Sequence, residues 1–136
     1  MKIKNFAQFF VLISLFAAAS IFAQDTIRTV IPSQALNLIK NDSTLVLLDV
    51  RTPAEYNSES GHLQNALLIP LQELENRVDE LNKFKNKDIL VYCRTGHRSA
   101  KASELLLKHG YKVYNMAGGI NKWNAEGLPV VKEEQK

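Results

Sequence analysis

The sequence predicts an α/β fold with a central, mostly parallel sheet of about five strands and helices on both faces. Short apolar runs alternate along the chain with amphipathic stretches of helical period, which is the pattern of strands connected by helices. Some of the apolar runs are nearly continuous, as expected of strands that are buried on both faces. The predicted strands are residues 26–31, 45–50, 66–69, 88–92 and 113–116.

Helices are predicted between and after these strands. Ser33 is a good N-cap for a first helix over residues 34–40. A helical stripe after the third strand comprises Leu71, Leu74, Val78, Leu81 and Phe84. A further helix over residues 98–109 is stopped by Gly110. A short last helix surrounds Trp123, whose indole N–H needs a hydrogen-bond partner in the core.

The N-terminal segment has the pattern of an export signal. Two lysines in the first four residues precede an apolar run over residues 6–23, and small residues gather towards the end of that run. We expect residues 1–23 to be a signal peptide that is cleaved after Ala23, and residues 24–136 to form a single domain. A cut after Ala19 and an uncleaved membrane anchor would also fit this pattern. The signal predicts a periplasmic or secreted protein that meets the membrane only during export.

Composition and charge are those of a globular domain. Hydrophobic residues make up 46% and charged residues 23% of the chain. The formal charge is +3, of which two units belong to the lysines of the predicted signal, so no nucleic-acid partner is expected. The single cysteine excludes an intramolecular disulfide. His62, His97 and His109 lack the spacing of a zinc site, and no metal is expected.

The segment after the fourth predicted strand carries the candidate chemistry. In parallel sheets, ligands bind beyond the carboxyl ends of the strands. Gly96 allows the loop after Cys93 to curl, so that backbone N–H groups and a helix N-terminus favour an anion there. A thiol in that place ionises more readily, with help from Arg94, His97 and Arg98 if they point inward. The pattern favours a sulfur nucleophile over an ordinary buried cysteine at a strand end.

A charged pair ends the second predicted strand, at the same edge of the sheet. Asp49 and Arg51 form either a brace for the Cys93 loop or an ordinary ion pair at a strand end. Glu55 lies in a helical turn that begins after Pro53. We expect Glu55 to pair with Arg51 in a structural role, not to take part in catalysis.

Three sequence blocks, in this order, are similar to those of a known family. They are residues 48–56 (LDVRTPAEY), residues 92–99 (YCRTGHRS) and residues 118–123 (GGINKW), the last followed by residues 127–130 (GLPV). Over about residues 33–130 the chain resembles a single-domain rhodanese, or thiosulfate sulfurtransferase, of the exported, periplasmic type. The family often has glycine where this chain has Asn65, a residue that tolerates left-handed backbone better than most.

The resemblance implies a chemistry for the loop. Cys93 would take a sulfane sulfur from a thiosulfate-like anionic donor, hold it as a persulfide, and pass it to cyanide, a thiol or a protein acceptor. The implied substrate-binding residues are Arg94, Thr95, Gly96, His97, Arg98 and Ser99, with Asp49 and Arg51 supporting them. The resemblance implies no metal and no organic cofactor.

Ring size distinguishes sulfur transfer from phosphoryl chemistry within this resemblance. The sulfur-handling form has a six-residue ring between Cys and Arg, here Cys93 to Arg98. The related phosphatases and arsenate reductases use one residue more, and at that position this chain has Ser99 instead of an arginine to clamp an oxyanion. The same residues are also compatible with a persulfide carrier that acts with a protein partner, with a non-catalytic interaction domain and with a redox thiol.

Overall fold

The computed structural model describes residues 25–133, and a five-stranded sheet lies at their centre. The strands are β1 (Arg28–Val30), β2 (Val46–Asp49), β3 (Leu67–Leu68), β4 (Asp88–Tyr92) and β5 (Lys112–Met116). Their order across the sheet is β1-β5-β4-β2-β3, and the four pairings between them are parallel. The predicted fold class is therefore confirmed. The predicted signal peptide, residues 1–23, lies outside the described residues.

Helices cover both faces of the sheet. They are α1 (Pro32–Asn41), α2 (Pro53–Tyr56), α3 (Leu71–Arg77), α4 (His97–Lys108) and α5 (Gly119–Ala125), with a 3₁₀ helix (Val78–Phe84) directly after α3. Buried side chains of α3, the 3₁₀ helix and α4 pack on one face, and those of α1 and α5 pack on the other. No helix within residues 25–133 has both the length and the apolar character needed to cross a membrane.

The central strand β4 shows why the sheet is buried on both sides. Ile89 and Val91 point to the face covered by α4, whereas Leu90 and Tyr92 point to the face covered by α5. All four of these side chains are fully buried. The nearly continuous apolar run thus places buried side chains on both faces of the sheet. Cys93 follows it directly and therefore lies at the carboxyl edge of the sheet.

The start of α1 differs from the prediction that Ser33 is its N-cap. The helix begins at Pro32, and Ile31 is the N-cap. The fixed φ of proline suits the first helical position, where no N–H is needed. The Gln34 side chain accepts a hydrogen bond from the Ile31 backbone N–H at 3.0 Å, so the first turn is capped without the Ser33 hydroxyl.

The helical stripe after β3 divides into two kinds of helix. Leu71 and Leu74 lie in α3, whereas Val78, Leu81 and Phe84 lie in the 3₁₀ helix. The last three residues recur at every third position, which matches the three residues per turn of a 3₁₀ helix. Both parts present their apolar side chains to the same core cluster.

Two local predictions are confirmed. Asn65 has a φ of 63°, the left-handed conformation in which asparagine replaces glycine most readily. The buried Trp123 ring finds its expected partner, because Nε1–H donates to the Pro129 carbonyl at 3.0 Å. The last helix is therefore fixed both by apolar packing and by this hydrogen bond.

Candidate active site

The Cys93 loop connects β4 to α4 at the carboxyl edge of the sheet. β4 ends at Tyr92 and α4 begins at His97, so Cys93 is the first residue beyond the strand. β4 is the central strand of the five. Sites in open α/β sheets form beyond the ends of such strands, and the fold places the only cysteine of the chain there.

Two groups of the loop lie against the Cys93 sulfur. The Gly96 backbone N–H donates to Sγ at 3.1 Å, and Ser99 Oγ lies 3.4 Å from Sγ. The Ser99 hydroxyl also contacts the Gly96 carbonyl at 3.1 Å, which fixes it beside the sulfur. Gly96 has a φ of 104°, and this conformation turns the loop amides inward at no steric cost to glycine.

Hydrogen bonds to the sulfur outweigh the effect of its burial. Cys93 is 1% exposed, and burial by itself raises the pKa of a thiol because it disfavours the charged form. The Ser99 hydroxyl and the backbone N–H groups of Ser99, Gly96 and Thr95 act in the opposite direction, and the net result is a Cys93 pKa below its ordinary value. The loop therefore enriches the thiolate, which is the reactive form of cysteine.

Replacing Ser99 by Ala is expected to raise the pKa of Cys93, because the variant removes the hydroxyl that hydrogen-bonds the sulfur. The measurement is the rate of alkylation by iodoacetamide against pH, which follows the thiolate fraction. The midpoint of the Ser99→Ala profile should lie at higher pH than that of the wild type. Ser103, whose hydroxyl donates to the Ser99 carbonyl at 2.7 Å, provides the matched control Ser103→Ala. Equal midpoints for the two variants would contradict a role for the Ser99 hydroxyl.

The start of α5 anchors the Cys93 loop. The Ile120 backbone N–H donates to the Cys93 carbonyl at 2.9 Å, and the Asn121 N–H donates to the Arg94 carbonyl at 3.1 Å. Gly119 lies so close to the loop that a Cβ there would be 2.5 Å from the Cys93 carbonyl oxygen and the Arg94 carbonyl carbon. The approach of α5 to the loop therefore requires a residue without a side chain.

The end of the loop is held by an ion pair between Arg98 and Glu55, and the prediction that Glu55 pairs with Arg51 is wrong. Two Arg98 nitrogens contact the two Glu55 carboxylate oxygens at 2.7 and 2.8 Å. Arg51 does not take this place because its guanidinium is bound to Asp49. Hydrogen bonds from Arg98, together with those from Thr52, lower the pKa of Glu55 from 4.5 to about 2 despite partial burial. Glu55 is therefore ionised at neutral pH.

Asp49 and Arg51 form a buried ion pair at the end of β2, where Asp49 lies in register with Tyr92 of β4. Arg51 Nη2 lies 2.7 Å from Asp49 Oδ2, and both side chains are at most 1% exposed. Arg51 also donates to Ser60 Oγ at 3.0 Å and to the Gly61 carbonyl at 2.7 Å. These hydrogen bonds join the end of β2 to the turn that follows α2. The ion pair at the end of β2 is thus observed, and its role in supporting the Cys93 loop stays a prediction.

The remaining loop residues form the rim. Arg94, Thr95 and His97 are exposed, whereas Ser99 is buried beside the sulfur. The loop therefore presents its amides and one hydroxyl to Cys93 and its longer polar side chains to solvent. Within residues 25–133, no group of His, Cys, Asp and Glu side chains is arranged to hold a metal ion.

A family comparison accounts for this arrangement. The family model of the Rhodanese-like domain matches residues 32–126, which include the Cys93 loop and the start of α5. The chain belongs to the rhodanese-like family. Apart from residues before 32 and after 126, both core clusters of the rhodanese lie within the matched range.

Similar proteins include enzymes and a carrier. A sulfurtransferase from Allochromatium vinosum is 40% identical over 106 residues, which are 76% of this chain and 95% of that protein. A tRNA uridine(34) hydroxylase from Pectobacterium atrosepticum is 39% identical over 70% of this chain and 29% of that protein. A putative sulfur carrier protein from Bacillus subtilis is 37% identical over 65% of this chain and 46% of that protein. This rhodanese thus spans less than half the length of the last two.

A solved structure shares the fold. A rhodanese-related protein from Thermoplasma volcanium is 35% identical, with a TM-score of 0.70, over 78% of this chain and 99% of that chain. The similarity extends over nearly the whole of that protein. The parallel sheet with helices on both faces is therefore common to this rhodanese and its relative.

Two features of the site were not predicted from the sequence. The first is the partner of Arg98, although Thr52 and Glu55 have the spacing of a capping box that turns the Glu55 carboxylate towards the start of α2. The second is the pair of hydroxyls of Ser58 and Ser60, which approach each other within 2.8 Å in the turn after α2. No sequence signal marks these serines, because only the fold brings their turn close to Arg51.

Proposed function

We propose that this rhodanese is a sulfurtransferase in which Cys93 carries the sulfur. It takes a sulfane sulfur from a thiosulfate-like anionic donor and passes it to cyanide, a thiol or a protein acceptor. The observation that carries the proposal is the Cys93 sulfur beside the Gly96 amide and the Ser99 hydroxyl, with its pKa lowered. The 40% identity to a sulfurtransferase over 95% of that protein supports it.

In the first half-reaction the Cys93 thiolate attacks the outer sulfur of thiosulfate. A bond forms between Sγ and that sulfur, the sulfur–sulfur bond of the donor breaks, and its electron pair leaves on sulfite. Charge is conserved, and no proton or oxidant enters. The inward amides of Thr95 and Gly96 stabilise the negative persulfide that results. Because Cys93 is only 1% exposed, the loop favours a small donor over a bulky disulfide.

In the second half-reaction the acceptor removes the outer sulfur of the persulfide. The electron pair of the broken sulfur–sulfur bond returns to Cys93, which is again a thiolate. We assign substrate binding to the loop residues Arg94, Thr95, Gly96, His97, Arg98 and Ser99. We assign a supporting role to Asp49 and Arg51, whose ion pair fixes the neighbouring end of β2.

Incubation with thiosulfate is expected to leave one extra sulfur atom on Cys93. The gain is measured by mass spectrometry of the intact protein and of the peptide that contains Cys93. Cyanide should then remove the added sulfur and yield thiocyanate. Protein alkylated beforehand with iodoacetamide is the control and should gain no sulfur. An unchanged mass after incubation of the unblocked protein would contradict the proposal.

A persulfide carrier with little turnover of its own is the second candidate. The resemblance to a putative sulfur carrier protein favours it, and it uses the same Cys93 persulfide. Steady-state kinetics distinguish the two functions. A carrier releases sulfur slowly to cyanide and small thiols and rapidly to one protein partner, whereas the proposed enzyme turns over with small acceptors alone.

Phosphate-ester hydrolysis is disfavoured by the arginine of the loop. Arg98 is five positions after Cys93, and its Nη1 and Nη2 atoms both donate to the Glu55 carboxylate. The position that would widen the ring holds Ser99, which has no positive charge to clamp an oxyanion. Hydrolysis of an aryl phosphate by the purified protein would overturn this assignment.

We also propose that the protein is exported to the periplasm or secreted. The proposal rests on the charge and apolar pattern of residues 1–23. Sequencing of the N-terminus of the mature protein should begin at Gln24. An intact Met1 on membrane-bound protein would instead indicate an uncleaved anchor.

A further inference from the structure

A polar cleft lies next to the Cys93 loop. Its volume is about 260 Å³, and it is lined by Arg51, Glu55, Ser58, Ser60, Arg94 and Asn121. Arg94 directly follows Cys93, and its carbonyl accepts the Asn121 N–H at 3.1 Å. The cleft therefore adjoins the segment that carries the reacting sulfur. It extends from there to the turn that follows α2, which makes it larger than a small donor such as thiosulfate requires.

Among the described charged residues that line the cleft, Arg94 is the one that is available to pair with an anionic ligand. Arg51 is paired with Asp49, and Glu55 is paired with Arg98. Within residues 25–133, the Arg94 guanidinium has no ion pair or hydrogen bond, and the residue is exposed. The cleft therefore favours an anionic group at Arg94, whose planar fork of donors matches a carboxylate.

Three other residues that line the cleft offer neutral polar groups. The hydroxyls of Ser58 and Ser60 lie 2.8 Å apart, and Ser60 accepts a hydrogen bond from Arg51 at 3.0 Å. Asn121 contributes an exposed side-chain amide beside Arg94. These groups suit the polar body of an organic molecule.

We propose that the cleft binds the acceptor and selects a thiol that carries a carboxylate, with Arg94 as the specificity-determining residue. The inference rests on the proposed sulfurtransferase function. Thiosulfate has its charge beside the sulfur that it donates, so it needs no second anion site. A mercapto acid has its carboxylate several bonds away from the sulfur, and Arg94 lies one residue from Cys93 in the wall of the cleft.

The step at this site is a sulfur exchange that is balanced in atoms and electrons. The acceptor thiolate attacks the outer sulfur of the Cys93 persulfide, and a new sulfur–sulfur bond forms on the acceptor. The bond between Sγ and the outer sulfur breaks, and its electron pair remains on Cys93 as the thiolate. The acceptor leaves as a persulfide that still carries its carboxylate.

The test compares 3-mercaptopropionate with its amide, 3-mercaptopropionamide, which lacks only the charge. The protein is loaded with thiosulfate, freed of donor by gel filtration, and mixed with each thiol, and the loss of Cys93 persulfide is followed at several thiol concentrations. Rates are compared at equal thiolate concentration. For the wild type, we expect the acid to reach half-maximal discharge at about one tenth of the concentration of the amide, as for one charge-assisted hydrogen bond.

The variants identify the residue responsible. Arg94→Gln should bring the two half-maximal concentrations close together, and Arg94→Lys should keep part of the preference because it keeps the charge. Lys108→Gln removes an exposed cation at the far end of α4 and should keep the full preference. A preference that is unchanged in Arg94→Gln, or absent from the wild type, overturns the inference. Failure of thiosulfate to load Cys93 overturns the proposed function itself and is seen before any acceptor is added.

Discussion

Replacing Cys93 by Ser is expected to abolish the formation of thiocyanate from thiosulfate and cyanide. The loss should be at least about a thousandfold, as for the removal of other catalytic nucleophiles. An oxygen in place of Sγ forms no persulfide, and the hydroxyl stays neutral where the thiol is partly ionised. Serine fits the space of cysteine beside Gly96 and Ser99, so the change acts on chemistry more than on packing.

The control experiment tests whether the Cys93→Ser variant keeps the wild-type fold. Its far-UV circular dichroism and thermal midpoint should remain close to those of the wild type, since Cys93 is a small buried residue and the replacement is nearly isosteric. Thiocyanate formation by a folded Cys93→Ser protein at a rate similar to the wild type would show that another group carries the sulfur.

Replacing Gly119 by Ala is expected to damage both stability and activity while it leaves Cys93 in place. The new Cβ would be 2.5 Å from the Cys93 carbonyl oxygen, and the φ of Gly119 is +57°. The neighbours that it meets are backbone atoms of the loop, which no rotamer change can move away. We expect a loss of ~3 kcal/mol in the free energy of unfolding from overpacking and backbone strain together. We also expect a strong fall in sulfur transfer, because the loop must shift.

Gly127→Ala provides a matched control for Gly119→Ala. Gly127 has a similar φ of +69°, but within residues 25–133 no atom other than those of Gly127 and its two chain neighbours lies within 4 Å of the position that its Cβ would take. The control should lose only ~1 kcal/mol, the cost of the left-handed conformation, and should keep full transfer activity. Urea unfolding and the thiocyanate assay measure the two effects. Equal losses in both variants would contradict the steric argument.

The sheet was predictable from the sequence because its central strands are buried on both faces. The predicted strand over residues 88–92 has the bounds of β4, since a nearly continuous apolar run of this length is typical of a buried strand and short for a helix. The run over residues 66–69 was predicted as a longer strand than β3, in which only Leu67 and Leu68 pair with β2. Apolar character does not reveal where backbone pairing ends.

The curl of the Cys93 loop was predictable, whereas its long-range partners were not. Gly96 marks the turn, and the lowering of the Cys93 pKa comes from the Ser99 hydroxyl and from backbone N–H groups of Ser99, Gly96 and Thr95, all close to Cys93 in the sequence. The partner of Arg98 is 43 residues earlier in the chain. Sequence spacing favoured Arg51 as the nearer candidate for Glu55, but Arg51 is buried against Asp49. Such contacts depend on how the helices are placed on the sheet.

The anchoring of the Cys93 loop by α5 has a consequence for the order in which the molecule matures. The donors at Ile120 and Asn121 lie near the end of the described chain, whereas their acceptors precede α4. During synthesis, Cys93 is therefore made before Ile120 and Asn121, the residues whose N–H groups anchor the Cys93 loop. We therefore expect sulfur-transfer activity to appear only when α5 has been made. A chain truncated after residue 117 should contain the Cys93 thiol yet be inactive with thiosulfate.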